Sequence, residues 1–178
     1  MLWRKKKISS KEYRCSSCGK IHREIPALSF ITPDNYDTLY EKDKAELAEI
    51  STDFCIIRHP EQTDRFIRTV LSIPIHGTCV TLDYGVWVSL SKESFEDYQE
   101  NFKSETSEPI YFGMICNQIR DYSESTEGLH VNVQVRNGGI RPEILPHQTE
   151  HQLIKDWEEG ISLEEAEKRI EKAMNNVG

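Results

Sequence analysis

Residues 129–136, Leu129-His130-Val131-Asn132-Val133-Gln134-Val135-Arg136, alternate apolar and polar positions without a break. A period of two marks a strand with one buried and one wet face. Other apolar runs read as further strands. These are Phe54 to Ile57, Phe66 to Ile73 ending at Pro74, Tyr84 to Leu90, and Ile110 to Ile115. The last looks buried on both faces. His76-Gly77 predicts a turn between the second and third runs. Asn137-Gly138-Gly139 predicts a tight turn that sends Ile140 to Leu145 back as a hairpin partner.

Helical spacing takes over elsewhere. Residues 36–50 are rich in Leu, Ala, Glu and Lys and read as helix with a break near Asp43, marked by Leu39, Leu47 and Ile50. Ser91 can cap a helix running to about Phe102, because its hydroxyl can accept an orphan backbone N–H. Phe95, Tyr98 and Phe102 give that helix one aromatic face. Near the C-terminus, Thr149 with Gln152 and Ser162 with Glu165 form two capping-box patterns, with Gly160 between them as a terminator. Leu153, Ile154 and Trp157 should face the core from the first helix. Leu163, Ala166, Ile170 and Ala173 should do so from the second. Strands in the middle and helices at the ends predict an α+β fold with a mainly antiparallel sheet. Residues 1–12 read as a basic tail and 13–178 as one domain.

Composition narrows the class. The chain has 178 residues, 37% hydrophobic and 29% charged, enough to bury an independent core. No apolar run is long enough for a transmembrane helix. The basic opening, Met1 to Ser10, is followed by neither an apolar stretch nor a cleavage site, so a cytoplasmic location is expected. Net charge is −8, with +6 carried by residues 1–20 and −14 by the remainder. That acidic body disfavours nucleic acid and suits a basic protein partner.

The sharpest chemistry lies at Cys15, Cys18 and His22, spaced C-x2-C-x3-H around Gly19. Two thiolates across a glycine turn, with an imidazole four residues on, can meet one tetrahedral zinc ion. Such an ion would staple a segment too short to build its own core. Cys55 is the first choice for a fourth ligand, with His59, His76, Cys79 and Cys116 as alternatives. A redox dithiol or ordinary hairpin thiols are the competing readings of the pair.

Other groups say less. His130, Asn132, Gln134 and Arg136 form a polar row that reads as the solvated side of a sheet. Arg68 shares a strand face with Phe66 and Val70, and needs either a carboxylate partner or an anion. Trp87 reads as core. His147 and His151 do not pair on one helix face. Glycine-rich phosphate loops, nucleophile elbows and H-E-x-x-H motifs are missing from the sequence.

The order of motifs resembles the bacterial domain-of-unknown-function family 2199. Cys15-x-x-Cys18-Gly19-x-x-His22-x-x-x-Pro26 opens the pattern. Asp53-Phe54-Cys55-Ile56, Arg65-Phe66-Ile67-Arg68 and Ile73-Pro74-Ile75 continue it. Gly85-Val86-Trp87-Val88-Ser89-Leu90-Ser91, Tyr111-Phe112-Gly113 and Arg141-Pro142 follow. His151-Gln152-Leu153 and Gly160-Ile161-Ser162-Leu163-Glu164 close it. The match departs at Gln152, where proline is expected, and at Thr69, where glycine is expected. The resemblance implies a compact bacterial cytosolic protein, adds weight to Cys55 in the ligand set, and implies no activity. The expected function is a non-catalytic binding module with a structural zinc knuckle, one version of it an immunity-type protein that neutralises a basic partner. A metal-dependent enzyme and a thiol redox sensor are the alternatives.

Overall fold

The computed structural model describes residues 12–14, 19–106 and 108–175, and for Tyr13 and His22 only the backbone. A short antiparallel pair comes first, β1 (Glu12–Arg14) and β2 (Ile21–Arg23), with Tyr13 opposite His22. Gly19 has φ +70, the conformation expected of it. Then come β3 (Leu28–Ser29), α1 (Asp34–Asp37), α2 (Glu41–Leu47), β4 (Ala48–Ile50), β5 (Phe54–Arg58), β6 (Thr63–Pro74) and β7 (Thr81–Leu90). After them follow α3 (Lys92–Asn101), β8 (Ile110–Ile115), β9 (His130–Gln134), β10 (Glu143–Pro146), α4 (Gln152–Glu159) and α5 (Leu163–Asn175).

The mainly antiparallel sheet closes on itself. Strands β6, β7, β8, β9 and β10 follow one another around a ring, and β10 returns to pair with β6. Five strands alternating in direction cannot all be antiparallel around a closed ring. One neighbouring pair must be parallel, and it is β10–β6, through Glu143 opposite Val70. The long strands also change partner along their length. β6 pairs with β5 over Thr63–Ile67 and with β10 at Val70. β7 pairs with β3 at Tyr84 and Gly85, then with β8 from Val88. Gly85 allows the first contact, because a Cβ there would sit 2.5 Å from Ser29 Oγ.

Alternation fills the barrel. Ile67, Leu71 and Ile73 meet Leu82, Tyr84, Val86 and Val88, together with Val131, Val133 and Ile144, in one buried cluster. Ser91 caps α3, accepting from Ser94 N. The aromatic face of α3 packs around Phe54, whose ring centroid lies 5.9, 5.8 and 5.3 Å from those of Phe95, Tyr98 and Phe102. A second cluster joins Cys55, Ile57, Phe66, Trp87 and Cys116, under Leu39 and Leu47. Trp87 is fully buried, and its Nε1 donates to Phe30 O at 3.3 Å. Cutting it to alanine would cost about 3–5 kcal/mol.

Four expectations need correction. The single helix over 36–50 is two short helices followed by β4, because Ile50 pairs with Cys55 and draws its segment into the sheet. Leu163 is exposed, since α5 turns Ala166, Arg169 and Ile170 inward. Thr149 does not cap α4: His151 does, its Nδ1 accepting from Leu153 N at 3.0 Å. Arg68 has no carboxylate partner among the described residues: Asp53, beside it, is bound by Arg141 Nε at 2.6 Å. The Ser162 cap is as expected, accepting from Glu165 N at 3.1 Å.

Candidate functional site

Strand β8 places large apolar side chains on both of its faces. Tyr111, Gly113 and Ile115 point into the barrel, while Ile110, Phe112 and Met114 point out, at 59%, 52% and 40% exposure. A row of three exposed apolar residues on one strand makes a candidate contact surface. Gly113 lets β7 and β8 close tightly, because a Cβ there would lie 2.8 Å from Ser89 O and closer still to Val88.

The row borders an open cleft of about 630 Å³. Phe112 and Met114 contribute to its lining. Arg65 comes from β6, Ser91 from the start of α3, and Glu127 from the β8–β9 connection. The Glu127 carboxyl is within hydrogen-bond reach of the Asp34 carboxyl. That hydrogen bond, then burial and the neighbouring charge, push the Glu127 pKa above the ordinary carboxylate value. Asp34 is held in place by Asn117 Nδ2 at 2.8 Å and Gln118 N at 2.8 Å, both donating to its carboxylate. Asp34, so fixed, and the neighbouring Glu127 carboxyl together attract a cation.

The polar row from the alternating strand lies next to this stripe. Asn132 stands opposite Phe112, and His130 opposite Met114. His147, just past the end of β10, donates its backbone N–H to His130 O, at 2.9 Å, and its Nε2 meets Asn132 Oδ1 at 2.9 Å. The Phe112 ring centroid is 5.1 Å from that of His130 and 5.7 Å from that of His147. The outer barrel face is therefore a mixed aromatic and imidazole surface beside an acidic cleft.

The candidate metal residues stand differently. Cys15 and Cys18 lie outside the described residues, and the side chain of His22 is likewise not described. Cys55 is fully buried, and desolvation pushes its thiol up to about 12. Cys116 is also buried, its thiol pushed up to about 11, and donates to Met114 O at 3.3 Å. Cys79 is exposed on the β6–β7 connection. His59 pairs with Asp64 at 3.2 Å, and His76 Nε2 meets Glu159 O at 2.9 Å. No group of three His, Cys, Asp or Glu side chains able to hold a metal occurs among the described residues. No described helix is long and apolar enough to cross a membrane.

The closed barrel, its helical ends and its open cleft define a mixed α+β barrel protein. The model of a family described as an uncharacterized protein conserved in bacteria (DUF2199) matches residues 14–161. The chain belongs to that family. No match was found among curated proteins or among solved structures.

Proposed function

We propose that the protein is a non-catalytic binding module whose cleft takes a basic segment of a protein partner. The observation that carries this reading is the exposed Phe112–Met114 stripe running into the Asp34–Glu127 carboxyl pair. An aromatic anchor gives apolar contact area. A lysine or arginine from the partner relieves the repulsion between these two carboxyls. The net charge of −8 steers such a partner toward the surface. In this reading Cys15, Cys18 and His22 hold a structural zinc ion, and Cys55 is the proposed fourth ligand.

The test compares affinity capture from native cells by the wild type, Phe112→Ser and Glu127→Lys. Phe112 is half exposed, so its replacement leaves the core intact. A partner with a basic docking segment should be held by the wild type and lost by both variants. Equal recovery by all three proteins, or a partner whose contacting segment is acidic, would overturn the reading.

A further inference from the structure

At Arg68, β6 leaves one partner strand for another. The backbone N–H of Arg68 donates to Asp53 O at 3.0 Å, and that of Val70 donates to Pro142 O at 2.9 Å. Glu143 stands opposite Val70 in the parallel pair, so the same register carried back two residues sets Arg141 opposite Arg68. Among the described residues, both guanidinium groups thus face one carboxylate, that of Asp53, and Arg141 takes it at 2.6 Å. One positive charge is left over.

Two polar atoms near this junction are orphaned. Arg68 Nε is buried with no hydrogen-bond partner among the described residues, and so is the hydroxyl of Tyr98. Tyr98 is almost completely buried, and the charges acting on it are those of Asp53 and Arg141. Burial, and then the like charge of Arg141, push the Arg68 pKa below its ordinary value. A buried donor without an acceptor is destabilising, and an arriving acceptor removes that penalty.

We propose that this junction is a binding site for a small oxyanion, a carboxylate or phosphate group held by Arg68 and Arg141 with the Tyr98 hydroxyl as a further donor. A guanidinium fork matches both oxyanions. The site is separate from the carboxyl-bearing cleft and takes the opposite charge. The fold sets it at the change of strand partner, where the ladder of β6 passes from Asp53 to Pro142.

The test is a nuclear magnetic resonance titration of the arginine Nε–Hε signals with sodium phosphate and, separately, sodium acetate, against sodium chloride at equal ionic strength. Saturable movement of the Arg68 and Arg141 signals is expected. Movement with phosphate alone assigns a phosphate group, and movement with acetate alone or with both assigns carboxylate recognition. Arg68→Gln and Arg141→Gln should each weaken the binding about tenfold or more, the loss of one charge-assisted fork. No saturable shift with either ion means an ordered water is all that the orphaned donors hold, and overturns the proposal. Undiminished binding in Arg68→Gln does the same.

Discussion

Arg169 Nη2 meets Asp156 Oδ2 at 2.7 Å, with both side chains more than nine-tenths buried. The pair is fully satisfied. Tyr122 donates to the same carboxylate oxygen at 3.0 Å, Gln152 donates to the other at 2.7 Å, and Arg169 Nε reaches Glu165 at 2.9 Å. These contacts tie α4, α5 and the segment before β9 into one unit. Asp156→Ala leaves a buried guanidinium short of its counter-charge and should cost about 3–5 kcal/mol. The double variant Asp156→Leu with Arg169→Met should recover much of that loss. Urea unfolding of the three proteins measures both effects.

Burial sets the alkaline limit of stability. Cys55 rises from an ordinary 9.0 to about 12, and desolvation also raises Tyr84, Tyr98 and Tyr122. Each group keeps its proton longer folded than unfolded. Their contribution is complete below the unfolded values and is lost as pH rises toward the folded ones. In metal-free protein, thermal melts should therefore fall from about pH 9 upward, and Cys55→Ala should flatten the first part of that fall. Alkylation of the native protein at pH 8 should spare Cys55, and its modification at the rate of an unfolded thiol would contradict this.

Glu127 gives the opposite kind of change. Its pKa is raised from an ordinary 4.5 by the Asp34 carboxyl, so the ionised pair strains the fold above that pH. Glu127→Gln should melt higher than the wild type at pH 7, and the gain should vanish as pH falls below about 4, where the wild-type carboxyl is already protonated. The same variant should bind the basic partner more weakly. A variant that is both more stable and weaker in binding would separate a functional carboxyl from a structural one.

Metal content tests the N-terminal knuckle. Mass spectrometry on protein purified without a histidine tag should find one equivalent of zinc, lost in Cys15→Ser and Cys18→Ser. Cys55→Ser is the discriminating variant. Loss of zinc places its thiol in the ligand set, and retention leaves it to the core around Phe66 and Trp87. A wild type without metal would turn attention to the redox behaviour of Cys15 and Cys18.

Much of the strand and helix pattern is legible in the chain. Ile110–Ile115 falls on the expected bounds, His130–Gln134 lies inside its alternating run, and Gly77 and Gly138 both take positive φ in expected turns. Barrel closure is not legible, because it depends on Glu143 meeting Val70 across a long stretch of sequence, and periodicity describes one strand at a time. The cleft is hidden for a related reason. Ile110, Phe112 and Met114 are as apolar as the buried residues between them, so the run reads as buried on both faces. The apolar outward side that conceals the site from the pattern is the side proposed to bind. Asp34 looks like a turn residue in the sequence, and its meeting with Glu127 is made only by the fold.

The single parallel rung between Val70 and Glu143 also bears on how the protein is made. β6 leaves the ribosome with one edge waiting for a strand that is synthesised some seventy residues later. Until then part of that edge is open to other chains, and the barrel wall lacks its last stave. A nascent chain stalled before Glu143 should be a target for chaperones and for aggregation, whereas one that has emerged past Pro146 can shut the ring and protect itself.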